Sequence, residues 1–172
     1  KNHKMTNIAV VEKGWLGGGN TGRNTTIIRS NYLQPASIAI YELARKLYEG
    51  LSQELNYNVM FSPRGVLMLC QTEHELRAFK RTAHANRLAG LDCRMIGLDE
   101  IKKIVPIIND DPNCRYPILG AYYQPDGGTG RHDAVAWGYA RGADGLGVDS
   151  IQNCEVTGIN REGGQVTGLE TT

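Results

Sequence analysis

The stretch Val11-Glu12-Lys13-Gly14-Trp15-Leu16-Gly17-Gly18-Gly19-Asn20-Thr21-Gly22-Arg23-Asn24-Thr25-Thr26-Ile27-Ile28-Arg29 decides the fold of this chain. Ahead of it, Ile8-Ala9-Val10-Val11 is the short, wholly apolar run of a parallel strand covered on both faces. That run ends in a carboxylate, Glu12, and four glycines then fall within positions 17–22. A packed core has no use for such a loop. Without a Cβ, successive backbone N–H groups can turn toward one ligand and approach it closely. Asn20, Arg23, Asn24, Thr25 and Thr26 follow, side chains suited to an anionic, polar cofactor. A bare Gly-Gly-Gly would read better as a surface loop. Glu12 tips the balance, because the carboxyl end of a parallel strand is where dinucleotide folds hydrogen-bond a ribose.

Downstream, a helix is predicted over Ala36–Asn56, with Ile40, Leu43, Ala44, Leu47, Tyr48, Leu51 and Leu55 at the spacing of a core-facing stripe. Strands are predicted over Asn58–Phe61 and Arg64–Cys70, broken by Ser62-Pro63. Thr72 and Glu75 form a capping box at the head of a second helix, Thr72–Asn86. A short strand at Cys93–Ile96, a helix over Asp99–Val105 stopped by Pro106 and a strand over Pro117–Gln124 come next. His132–Leu146 is the third long helix; its small residues suit close packing against a sheet. Val148–Gln152 then reads as a strand and 153–169 as a hairpin around Asn160–Gly164.

This order gives a split α/β layout in which the last parallel strand returns beside the first. The fold class is thus α/β: part of a dinucleotide-binding domain, with the excursion 57–124 forming part of a second layer or domain. Residues 1–56 and 125–172 are assigned to the cofactor domain and 57–124 to the second.

Composition bounds the function. The 172 residues suffice for one ordinary domain, and Lys+Arg 19 against Asp+Glu 18 leaves no field for nucleic acid or an anionic membrane. Cys70, Cys93, Cys114 and Cys154 are too widely spaced for a zinc site or a disulfide framework, which points to a reducing cytoplasm. No run has the length of a membrane span, and Lys1–Met5 leads into no signal-peptide core. The chain begins shortly before a strand and stops within a β-like pattern, as a segment of a longer protein does.

Further residues carry a resemblance. Glu12-Lys13-Gly14-Trp15, Arg23 through Tyr32, Phe61 through Leu67, Arg131 through Trp137, Gly147-Val148-Asp149 and Ile151 through Gly158 together resemble the β subunits of heterotetrameric sarcosine oxidases. These belong to the D-amino-acid-oxidase-like FAD enzymes, so the resemblance implies that this chain is part of a dinucleotide-binding domain of the FAD/NAD(P) type with part of a β-rich substrate domain inserted. The resemblance implies a flavoprotein subunit that oxidises the N-methyl group of sarcosine, passing a hydride to FAD. Electrons would then pass to a covalent FMN and to oxygen, giving hydrogen peroxide, in an assembly with α, γ and δ subunits.

By the same resemblance Glu12 holds the adenosine ribose, and Lys13, Gly19, Asn20, Thr21, Arg23, Thr25, Thr26 and Ile27 run along the FAD. The backbone of Val156 meets the adenine. Arg29 takes the substrate carboxylate, a role suited to the planar guanidinium fork. His132 carries FMN covalently, with Arg131 beside it disfavouring the imidazolium and so keeping a neutral nucleophile. His74 and His84 read instead as part of a solvated helix face. The Gly-x-Gly-x-x-Gly cradle of such folds, roughly 20 residues before the ribose acid, would precede Lys1. The chain alone is therefore expected to bind FAD weakly. Two alternatives stay open: an enzyme acting on another secondary amine or amino acid, and a non-catalytic piece.

Overall fold

The apolar run at the start forms strand β1 (Ile8–Val11), followed by one 3-10 turn at Asn20–Arg23 and the two-residue β2 (Ile27–Ile28). Then come α1 (Pro35–Glu54), β3 (Val66–Cys70), α2 (Glu73–Leu88), β4 (Arg94–Ile96) and α3 (Leu98–Ile104). The order closes with β5 (Gly120–Gln124), β6 (Gly128–Thr129), α4 (His132–Asp144), β7 (Val148–Ile151), β8 (Val156–Glu162) and β9 (Gln165–Thr171). The computed structural model describes residues 4–172, so the reading of Lys1–Met5 falls partly outside it.

The chain divides into two units. One comprises 1–26, 51–60 and 131–172; the other comprises 27–50 and 61–130. The second overlaps the expected excursion 57–124 over residues 61–124.

In the first unit β1 and β7 pair in parallel, Ile8 opposite Val148 through Val11 opposite Ile151, as the sequence order requires. Contrary to the expectation for β1, neither face is covered among the described residues: Ala9 and Val10 are exposed, Val10 by 55%. β7 is β1's one strand partner here, and two strands cannot cover a sheet face. Helix α4 packs its small residues against the segment 51–60. A Cβ at Gly138 would stand 3.1 Å from Tyr57 and 3.2 Å from Leu55, and one at Gly142 would stand 3.0 Å from Leu55. The expected close approach is real, but residues 55–59 make it. β8 and β9 form the hairpin, and the turn narrows to Gly163-Gly164, both at positive φ (58° and 82°). A two-residue type I′ turn demands such angles.

The second unit has an antiparallel sheet of order β3-β5-β4. One face buries Tyr122 with Ile38, Ala83, Leu91 and Cys93; a second cluster joins Ile96, Ile101 and Ala121. The capping box of α2 is present: Glu75 N–H donates to Thr72 Oγ1, and the Glu75 carboxylate accepts from Thr72 N–H. His74 and His84 are exposed on this helix, as read.

Two expectations fail in this part of the chain. Residues 58–61 form no strand; Ser62 makes a single bridge with Thr129, and Met60 sits at φ 54°, outside extended geometry. Helix α1 has the expected length, and of its expected stripe Leu51 is buried and Ala44, Tyr48 and Leu55 are half-buried. Ile40, Leu43 and Leu47, however, are 67%, 61% and 58% exposed, and Ile38 and Arg45, outside the stripe, are buried. Arg45 is tolerated inside because Glu42, Glu49 and Asp126 surround it at 2.8, 2.5 and 3.8 Å.

Candidate flavin and substrate site

Glu12 stands immediately past the carboxyl end of β1, and a web of backbone bonds fixes it there. Its N–H donates to Ile151 O at 2.9 Å, and its carbonyl accepts from Cys154 N–H at 3.0 Å. Asn153 N–H donates to Gly14 O at 2.8 Å, so the start of the glycine loop is strapped to the β7–β8 connection. Leu16 N–H adds a 2.6 Å bond to the Gln152 side chain. The Glu12 carboxylate accepts from Gly14 N–H at 2.9 Å through Oε1 and otherwise faces solvent. It lines a cleft of about 500 Å³ together with Val10, Tyr57, Trp137, Arg141 and Ser150, among others. Lys13 is exposed beside it, and Val156, also exposed, opens β8 two residues after Cys154.

The glycine loop is sterically constrained at Gly18, where a Cβ would stand 2.9 Å from the Trp15 ring, at Gly22, where one would stand 3.1 Å from Gly17 O, and at Gly17. Gly17 takes φ +80°, a left-handed conformation suited to glycine, and a Cβ there would contact Ala136 of α4 at 3.8 Å. Gly19 precedes the 3-10 turn that holds Asn20, Thr21 and Arg23. Asn24 then ties the loop at both ends: its Nδ2 donates to Thr21 O, and its Oδ1 accepts from Thr26 N–H at 2.7 Å. Thr26 sits at φ 59°. That is strained for a β-branched residue and stands where strain often marks function. Asn24, read above with its neighbours as a polar side chain suited to the cofactor, uses both ends of its amide on the loop itself. The Asn-x-Thr spacing of an Asx turn was the available signal.

His132 is the first residue of α4; it is half-buried, with Nδ1 sealed from solvent and lacking any hydrogen-bond partner among the described residues. A buried polar atom without a partner is rare and calls for an explanation. Arg131 does not act as a free cation beside it. Its Nε and Nη2 donate to the two Asp133 oxygens at 3.0 and 2.5 Å, and that bond raises the guanidinium pKa while holding the Asp133 carboxyl well below its usual range.

The second unit contains Ile27 and Arg29. Ile27 pairs with Thr129 in the β2–β6 ladder. Arg29 is half-buried; its Nη1 donates to Asn31 Oδ1 at 2.6 Å and its guanidinium lies 4.8 Å from the Tyr32 ring centre. Next to it Ser30 is fully buried, donating its N–H to Gln124 Oε1 and its hydroxyl to Glu42. Arg45, bonded to Glu42, draws that carboxyl below its ordinary pKa. So the first unit collects Glu12, Lys13, Gly19, Asn20, Thr21, Arg23, Thr25, Thr26, Val156, Arg131 and His132, and the second holds the remaining two.

All four cysteines are free, and no three His, Cys, Asp or Glu side chains among the described residues are grouped to hold a metal. No helix among these residues is long and apolar enough to cross a membrane.

Comparison with known proteins fits this geometry. The sarcosine oxidase subunit beta of Rhodobacter capsulatus is 64% identical over the whole chain, which spans 41% of that protein's length. The L-proline dehydrogenase of P. horikoshii superposes with a TM-score of 0.83 at 25% identity, over 95% of this chain and 42% of that one. A Bacillus cereus glycine oxidase shares the fold with a TM-score of 0.82 at 20% identity, over 95% of this chain and 44% of its own. The family described as FAD dependent oxidoreductase, DAO, matches residues 2–172, and the chain belongs to it.

Proposed function

We propose that this chain is the part of a sarcosine-oxidising flavoprotein subunit that holds the ribose side of FAD, the substrate carboxylate and a covalent FMN. The observation that carries the reading is the 64% identity to a sarcosine oxidase β subunit across every position of the chain. The residues present suit the cofactor. The Glu12 carboxylate, solvent-facing at the end of β1, is a ready acceptor for ribose hydroxyls. The strained turn at Thr26, pinned by Asn24, offers polar backbone and hydroxyl groups in a fixed array. Val156 stands close in sequence to the strap that fixes Glu12.

When bound, FAD supplies the two-electron acceptor for the N-methyl group and FMN the route to oxygen. The sum is sarcosine, oxygen and water giving glycine, formaldehyde and hydrogen peroxide. Arg29 binds and orients the substrate carboxylate, so that the N-methyl carbon and not the carboxyl end meets the oxidant. At His132 Nδ1 is closed off, which leaves Nε2 as the nitrogen for the flavin bond. The assembly with further subunits and a cytoplasmic location belong to the same reading.

Assay of the complete protein with sarcosine, dimethylglycine and proline, following peroxide, tests it. Sarcosine is expected to give the highest kcat/KM; a preference for proline would overturn the assignment. The fold likeness to L-proline dehydrogenase makes that second reading, another carboxylate-bearing secondary amine, the specific competitor. Arg29 serves both. Protein that loses all colour on denaturation would remove FMN from His132 and leave a subunit without covalent flavin.

A further inference from the structure

The segment Arg29–Tyr32 is held from behind by two fully buried carboxamides on different elements. Gln124 of β5 accepts from Ser30 N–H at 3.2 Å and donates to Ser30 Oγ at 2.7 Å. Asn86 of α2 donates to Tyr32 O at 2.6 Å and accepts from the Tyr122 hydroxyl at 2.8 Å. A buried amide is tolerated only when its hydrogen bonds are made, and both Gln124 bonds and one of the two from Asn86 go to this segment. The backbone beside Arg29 is thereby fixed at Ser30 and at Tyr32.

What that fixation presents is the Tyr32 ring. It stacks on Tyr41 of α1, with centroids 4.1 Å apart and planes at 21°, and the Arg29 guanidinium lies over it at 4.8 Å. Burial and the neighbouring Tyr41 push the Tyr32 phenol above its ordinary pKa, so the ring beneath the cation stays neutral. With Nη1 on Asn31 and one face toward Tyr32, the guanidinium keeps Nε and Nη2 without hydrogen bonds among the described residues. A carboxylate approaching in the guanidinium plane needs that edge.

We propose that Tyr32, stacked on Tyr41 and anchored through its carbonyl by Asn86, is a positioning residue that sets the plane of Arg29 and thereby the enzyme's selectivity for amines bearing a carboxylate. The inference rests on the reading of Arg29 given above. Tyr32 makes no claim on the reacting carbon. It acts through the guanidinium, by the attraction between a cation and an aromatic face.

The test uses the complete subunit in its flavin-loaded assembly and compares kcat/KM for sarcosine with that for sarcosinamide, which lacks the carboxylate. Arg29→Met should collapse the preference for the acid. Tyr32→Leu should lower it about tenfold, through KM and not kcat, and Tyr32→Phe should restore it. Flavin absorbance reports that each variant is folded and loaded. If Tyr32→Leu yields no flavoprotein, Tyr41→Leu decides instead: it removes only the stacking partner, and a fall in the preference supports the proposal while an unchanged value overturns it. Equal losses on acid and amide, or none on either, would likewise overturn it. Should Arg29→Met leave the preference intact, the carboxylate reading itself fails; should Arg29→Met lower it and Tyr32→Leu not, only the positioning role fails.

Discussion

Asn24 and Thr26 show how a cofactor loop is held at the scale of single residues. Thr26 at φ 59° stays in place because Asn24 bonds both Thr21 and Thr26. Removing those bonds with Asn24→Ala should cost about 1–2 kcal/mol of loop order, seen as a roughly tenfold weaker FAD affinity in the complete protein. Asn24→Asp, which keeps the acceptor for Thr26 N–H, should lose less. At His132 the prediction is qualitative: His132→Asn abolishes flavin that survives denaturation and leaves FAD bound, as absorbance of the denatured and native protein will report. The position of Glu12 at the carboxyl end of its strand was legible in the local pattern, whereas the role proposed for Arg29 came from the family resemblance. The residues that hold Arg29 in place were not legible. Asn86 and Gln124 lie 54 and 94 residues from their partners Tyr32 and Ser30, and local periodicity carries no information at that range.

The same division between local and distant causes holds for the elements. α2 was legible to its cap, since Thr72 and Glu75 decide its start within one turn. Thr72→Ala should cost about 1 kcal/mol, measured as a lower denaturation midpoint. The length of α1 and the burial of Leu51 were legible, but the inward turn of Arg45 was not, because the charges that allow it include Asp126, far along the chain. This cluster also gives the fold a pH dependence. The Glu42 carboxyl is drawn below its reference value of 4.5, first by the hydrogen bond from Arg45. A lowered native pKa stabilises the fold above the unfolded value, and that stability is lost as pH falls through the native one. Denaturant midpoints of the chain should therefore fall below about pH 4.5. Glu42→Gln should flatten that acid limb and cost about 2 kcal/mol at neutral pH. The strand missing at 58–61 has a comparable cause: with Asn56 and Met60 at positive φ the backbone cannot stay extended.

Across the whole molecule, exposed apolar side chains group on two elements: Ile40, Leu43 and Leu47 form an outward row on α1, and Ile159, Val166 and Leu169 are exposed on the β8–β9 hairpin. The chain spans 41% of the length of the Rhodobacter relative it matches. The 172-residue chain by itself should bind FAD weakly or not at all, and titration followed by flavin fluorescence checks this; submicromolar binding would show that Glu12 and the Asn24 loop suffice. The fold class and the parallel return of the last strand to the first were legible from element order alone.

That parallel return also dictates a sequence of events in time. Among the described residues β1 takes its register from β7, 140 residues on, Ile8 meeting Val148. The first unit is stitched from three separate segments, while most of the second lies in one run, 61–130. Closing so long a loop carries an entropic cost that growth in chain length raises only slowly, by about 0.6 kcal/mol per doubling, but pairing of such low locality is slow to form. In pulsed hydrogen exchange during refolding, the amides of β3, β4 and β5 should gain protection before those of β1 and β7. On the ribosome β1 precedes β7 by 140 residues, so Glu12, one residue past the end of β1, is made well before the strand that sets it in place.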